Sequence, residues 1–199
     1  MTHNLRTSLR IVLFVSLSAV GIMAAGGSWR VGQAEVSVKC PMTIGGSFDA
    51  STSALTGTLT TSTARPSALD GSVAVDLRTI DTGIALRNDH LRENYLEVAK
   101  GEGYNKAVLS EIQLAEASGE SFDGTTPFTG TLLLHGVKRP VAGTAEIHSE
   151  GMSRRVRAEF PVELSEWAVK TPEYLGVGVG SRLLVKVNLT ATPVKPLAR

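Results

Sequence analysis

The sequence predicts an all-β domain, an antiparallel barrel or sandwich, on three observations. The stretch Val156-Arg157-Ala158-Glu159-Phe160-Pro161-Val162-Glu163-Leu164 alternates apolar and polar residues. A strand with one buried and one wet face accounts for that period of two. The alternation returns in Leu183-Leu184-Val185-Lys186-Val187-Asn188-Leu189-Thr190-Ala191. Upstream of both, Gly and Thr are frequent, aromatics are sparse, and turn signals recur about every ten residues, the spacing of short antiparallel strands.

The N-terminus reads as a targeting segment rather than as part of that domain. Arg6 and Arg10 precede Ile11 to Ala25, a run without a charge, and the small residues Gly26, Gly27 and Ser28 follow. Basic, apolar, then small is the order of a secretory signal peptide, and the run is shorter than the roughly 20 residues that span a bilayer. The expectation is a signal over 1–28, cleaved between Ala25 and Trp29, and a periplasmic or secreted domain over 29–194 with no stable membrane span. Roughly 170 residues suit one domain with a sizeable core. Of the 20 bases, Arg6 and Arg10 leave with the signal, so 18 face 19 acids and the mature charge is −1. Nothing there recruits nucleic acid. Cys40 is the only cysteine, which excludes an internal disulfide, and it reads as a small apolar residue continuing Val36 and Val38.

Taken in order, Trp29 to Cys40 reads as a first strand with Ala34, Val36, Val38 and Cys40 on one face. Gly45 to Asp49 and Thr56 to Thr60 are short strands marked by glycine, and Arg65-Pro66-Ser67 reads as an exposed loop. Val73, Val75 and Leu77 alternate with polar or small neighbours before Asp81-Thr82-Gly83 turns the chain. One helix follows, capped by Asn88 or Asp89, with Leu91, Tyr95 and Val98 on one face and Gly101 or Gly103 ending it. Strands resume through Val108, Ile112 and Leu114. Leu132 to Leu134 then enter a hairpin connection over His135 to Pro140, and Val141, Gly143, Ala145 and Ile147 return. Glu166 to Gly180 is a looser stretch holding Trp167, Pro172 and Gly176, while Pro193 and Pro196 mark a fraying end.

Three motifs stand in order along this pattern: Gly46-Ser47-Phe48 with Gly57; Ile80-Asp81-Thr82-Gly83 followed by Arg87-Asn88-Asp89-His90-Leu91; and Gly130 to Val141 around His135-Gly136. In order and spacing they resemble the YceI-like family of exported bacterial proteins, over about Trp29 to Ala191. The resemblance implies an eight-stranded antiparallel lipocalin-like barrel with one short helix near its mouth. It also implies a long-chain amphiphile, polyisoprenoid or fatty-acyl, held inside.

No catalytic constellation competes with that reading. His90, His135 and His148 share no metal-ligand motif, so no metal and no cofactor are expected. Asp89 reads as a cap, His90 as lying near the mouth, and His135 as an exposed turn residue. Arg87 and Arg92 pair with local acids or, less simply, meet a polar headgroup. Arg155 and Arg157 lie on the wet face of a strand. The inward apolar residues are the candidate lipid-binding set: Val36, Val38, Phe48, Leu77, Leu91, Tyr95, Ile112, Leu132, Leu134, Phe160, Val162, Trp167, Val185 and Val187. Eight strands enclose either packed side chains or one small ligand, and walls of Val, Ala and Gly leave room. The expectation is a non-enzymatic carrier or sequestering protein for a long apolar or isoprenoid chain. Two alternatives stand beside it: a closed structural or interaction module with a filled interior, and a lipid-modifying enzyme using His90 or His135. A homodimer is left open.

Overall fold

Antiparallel pairing runs around the molecule until the last strand meets the first. The computed structural model describes residues 27–115, 122–171, 173–174 and 177–194. The expected signal through Gly26, together with Pro172, Gly176 and Pro196, lies outside the described residues. The strands are β1 (Ser28–Pro41), β2 (Ser47–Thr52), β3 (Leu55–Ser62), β4 (Arg65–Asp76), β5 (Lys106–Leu114), β6 (Gly124–Leu134), β7 (Val137–Glu150) and β8 (Ser153–Glu163). After them come the short β9 (Glu173–Tyr174) and β10 (Val177–Gly178), and then β11 (Arg182–Pro193).

The β2 and β3 segments are one stave broken at Ser53 and Ala54. Both pair with β1 in a single register, Val38 opposite Ala50 and Trp29 opposite Leu59. Counted so, the sheet has eight staves, and β11 closes it by pairing with β1 from Trp29–Pro193 to Lys39–Leu184. The result is the closed eight-stranded barrel expected from the motifs, with one short helix.

A bulge between Val31 and Ala34 in β1 shifts the register against β11. An extra residue reverses which parity faces inward. Trp29 and Val31 therefore point to the same interior as Val36, Val38 and Cys40. At that end of the barrel the described chain ends run side by side: Thr61 N–H donates to Gly27 O and Gly27 N–H to Thr61 Oγ1, and Val194 N–H donates to Ser28 O at 2.7 Å.

At the opposite end the β4–β5 connection folds over the opening. Its helix, α1, spans Ala85–His90, continues through a π-type turn at Leu91–Tyr95 and ends in a 3-10 turn, Val98–Lys100, closed by Gly101. Leu91, Tyr95 and Val98 pack on the core as expected. The expected cap is corrected. The helix starts from Ile84 without a side-chain cap, so Asn88 lies within it, and Asp89 is exposed. Asn88 instead fastens the preceding turn: its Oδ1 accepts from Thr82 N–H (2.8 Å) and Thr82 Oγ1–H (2.7 Å), and its Nδ2 donates to Asp81 Oδ1 (2.7 Å). The Asn88 bond, and after it the Gly83 N–H donating to Asp81 Oδ1, hold the exposed Asp81 carboxyl below its ordinary range.

Two further expectations change. Arg65-Pro66-Ser67 opens β4 rather than forming a loop, with Arg65 Nη2 donating to both Asp70 carboxylate oxygens. Proline is tolerated there because the ladder is already irregular, shifting between Thr61 and Ser62. The β6–β7 connection is only His135-Gly136, with φ of +50° and +76°, and Lys138, Arg139 and Pro140 already belong to β7. Positive φ at both positions gives the two-residue turn whose twist matches its strands.

His135 is not an exposed turn residue. Its side chain is 10% exposed, with Nε2 at 2.9 Å from Glu97 Oε2 and Nδ1 at 3.2 Å from Trp167 O. Both ring nitrogens thus sit within hydrogen-bond distance of an acceptor oxygen. Tyr104 packs edge-on at 4.8 Å, and Gly136 N–H donates to Gly103 O. The turn thus locks both mouth segments, 97–104 and Leu164–Trp167, to the wall. Arg155 and Arg157 do lie outward, within ion-pair distance of Glu150 and Glu146 respectively.

Gly143 sits where β7 crosses closest to its neighbours. A Cβ there would fall 2.2 Å from Glu159 O and 2.7 Å from Phe160 Cβ. Gly143→Ala is expected to destabilise the barrel by about 3 kcal/mol, the upper end of overpacking costs, read as a lowered urea midpoint.

Candidate functional site

The barrel encloses a cavity of about 1120 Å³. Every lining residue contributed by the eight staves is apolar. The alternation forces this, because a closed sheet sends every second side chain inward. On β11 the inward series is Leu183, Val185, Val187, Leu189 and Ala191, and on β8 it is Val156, Ala158, Phe160 and Val162.

Small residues make the room. Thr126 pairs with Ala145, Ala145 with Ala158, Ala158 with Val187, and Val187 with Val36, so a belt of small or β-branched side chains crosses five neighbouring strands. The large side chains sit above and below it. Phe128 and Phe160 meet edge-on at 5.9 Å, and Trp29 lies toward the termini. The cavity favours the expected open interior over the alternative of a filled one: aromatics are few and the belt is small.

Polar lining is confined to one end. Thr82, Arg87, His90 and Asn94 come from the β4–β5 connection, and Lys170 and Glu173 from the segment after β8. That second segment is stitched across the opening, with Thr43 N–H donating to Gly178 O and Gly180 N–H to Pro41 O. Exposed Ile84 and Leu86 also border the mouth. Arg87 lies with its Cζ 3.9 Å from the Phe48 ring centroid, and Nη2 donates to Thr82 O at 2.5 Å. Arg92 Nη2 donates to Ile80 O. The expected pairing of these arginines with local acids is thus corrected. Both spend a donor on backbone carbonyls, because Asp81 is engaged by Asn88 and Asp89 faces solvent.

Cys40 lines the cavity beside Phe48 and Val38. Burial, and secondarily the Asp49 carboxylate, push its thiol up to about 11, with Arg87 pulling weakly the other way. A thiol so held is protonated at neutral pH and acts as a small apolar wall residue.

Thirteen of the predicted lining residues border the cavity: Val36, Val38, Phe48, Leu77, Leu91, Tyr95, Ile112, Leu132, Leu134, Phe160, Val162, Val185 and Val187. Trp167 does not. It is 1% exposed but lies outside the cavity, its Nε1–H donating to Leu132 O at 3.2 Å, so it pins the 3-10 turn Leu164–Trp167 to β6. Sequence reasoning missed Trp29 and Val31, whose facing the bulge inverts. It also passed over Leu183, Leu189, Ala145 and Ala158, which the alternation itself could have supplied. His90 borders the mouth, whereas His135 faces Glu97 and Trp167, and His148 lies between Asp123 and Glu146 on the outside.

Comparison with known proteins accords with this geometry. The model of the YceI-like domain matches residues 29–191. A UPF0312 protein of Pseudomonas aeruginosa is 33% identical over 96 residues, 48% of this chain, and that match spans just under half (46%) of the relative's length. Among solved structures, BcnA of Burkholderia cenocepacia superposes with a TM-score of 0.66 at 18% identity, over 80% of this chain and 96% of that one. A polyisoprenoid binding domain from Saccharophagus degradans, implicated in plant cell wall breakdown, gives 0.61 at 14% identity over 83% and 98%. At these identities the two structures establish the shared fold.

Trp167 separates stability from binding. Trp167→Phe is expected to cost about 1–3 kcal/mol, because Leu132 O loses a buried donor. Affinity for an apolar probe should stay unchanged; a loss of affinity without a loss of stability would put Trp167 back in the wall.

Proposed function

The chain belongs to the YceI-like domain family, and on that footing we propose that its barrel binds, sequesters or carries a long-chain amphiphile of polyisoprenoid or fatty-acyl type. The observation that carries this is the unbroken apolar wall around a cavity with polar groups at one end only. From Leu183 to Ala191 the wall follows eight residue steps of β11, about 26 Å of strand at about 3.3 Å per residue. Tilted as barrel strands are, that gives an axial tube of about 20 Å. Each CH₂ moved from water into it contributes about 0.8 kcal/mol, so a long chain binds with few polar contacts. The Saccharophagus neighbour, described as polyisoprenoid binding, supports the isoprenoid class.

Binding rather than catalysis fits the histidines. His135 is held between Glu97 and Trp167, and among the described residues the His90 side chain makes no hydrogen bond to a nucleophile that it could activate. The reading includes export. Ile11 to Ala25 serves as the signal, and cleavage after Ala25 or Gly26 leaves Gly27 and Ser28 free to pair with Thr61 and Thr60.

Solvent extraction of protein purified from its native host, followed by mass spectrometry, is expected to release a long-chain compound. Ala158→Phe narrows the belt and displaces the equivalent of about two methylenes, so affinity for a long-chain fluorescent probe should fall about tenfold while the urea midpoint holds. A barrel that yields nothing and takes up neither prenyl nor fatty-acyl probes overturns the reading. N-terminal sequencing of the exported protein should find a first residue between Gly26 and Trp29; a chain still starting at Met1 refutes cleavage.

A further inference from the structure

Among the described residues Arg87 is the one arginine in the cavity lining, and its hydrogen bonding is incomplete. Nη2 serves Thr82 O, and the guanidinium carbon lies 3.9 Å from the Phe48 ring centroid. Its Nε is buried without a hydrogen-bond partner. Among the described residues no carboxylate lies within ion-pair distance of it. A guanidinium offers five donors in a rigid fork, and a buried donor left without an acceptor is costly. The barrel could have placed an apolar residue here, as it does at every stave position around the cavity.

The surroundings name the missing acceptor. Below Arg87 the wall is wholly apolar, so only a molecule with a long apolar part reaches the tube. Beside it the polar lining groups are Thr82, His90, Asn94 and Lys170, with Glu173 the acid among them. Arg87 is half-buried, inside this exposed rim, and its charge is felt at the Cys40 thiol. A planar oxyanion matches the fork in shape and charge, and charge-assisted bonds of this kind are about twice as strong as neutral ones.

We propose that Arg87 is a head-group subsite, its guanidinium at the cavity mouth receiving an oxygen of a carboxylate or phosphate whose apolar chain fills the barrel. This deepens the binding reading above and depends on it. The ligand enters tail first and stops with its anionic head at α1, its tail end toward Trp29. Thr82 orients the guanidinium through its carbonyl, and the Phe48 ring packs against it.

Matched pairs that share a tail and differ in head charge test it: hexadecanoic acid against hexadecan-1-ol, and geranylgeranyl phosphate against geranylgeraniol. Competition binding to the exported protein at pH 7 and low salt should show the anionic member of at least one pair preferred by about tenfold or more. The pair that shows it distinguishes carboxylate from phosphate. Arg87→Gln should abolish the preference, bringing acid and alcohol to equal affinity. Arg87→Lys, which keeps the charge and loses the fork, should retain part of it and guards against a glutamine variant that fails to fold. Equal binding of acid and alcohol by the wild type overturns the subsite and leaves the barrel reading standing, as does an intact preference in both variants. If neither member of either pair binds, the barrel reading fails and the subsite with it.

Discussion

Closure of the hydrogen-bond ladder between β1 and β11 is the constraint on which the rest depends. An open sheet of these strands would leave two unpaired edges and one apolar face against water. Closing the sheet satisfies both edges and turns that face inward. No second sheet or helix layer is then needed to cover it. Apolar side chains that elsewhere would interlock with a partner layer instead face one another across a tube. Its width is fixed by the number of staves, and the belt of Thr126, Ala145, Ala158, Val187 and Val36 keeps it from filling.

The ends of the tube are solved differently. Toward the described chain ends β3–β4 and β7–β8 are joined by two-residue turns, and the apolar lining continues to Trp29, Leu189 and Ala191. Toward the mouth, two long connections lie across the opening and are held by hydrogen bonds from buried or half-buried side chains rather than by a continuous sheet. Polar chemistry in the interior is therefore possible only where strand alternation stops. Arg87 belongs to that region, on α1.

The sequence exposes the wall far better than the mouth. Val156 to Leu164 and Leu183 to Ala191 are legible because a half-buried strand imposes a period of two, and the structure pairs these two stretches with each other. Trp29 and Val31 escape the same logic, since a bulge is a one-residue irregularity that leaves no mark in an apolar–polar pattern. Trp167 is apolar and buried, but burial that pins a turn to the Leu132 carbonyl of β6 looks in sequence like burial in a wall. His135 was misread because a turn residue is exposed by default. Its partners stand 38 and 32 residues away, brought in by the fold rather than by local spacing. Asn88 has the chemistry of a cap and a different use, because α1 begins one turn earlier than its short polar residues suggest.

The pairing of Val194 with Ser28 puts both described chain ends together, a full barrel length from the polar rim. Anything attached to either end, whether a fused reporter or a linkage to a sensor chip, would grip the molecule by its base. The opening would face outward, unobstructed, and cargo could come and go without passing the point of attachment.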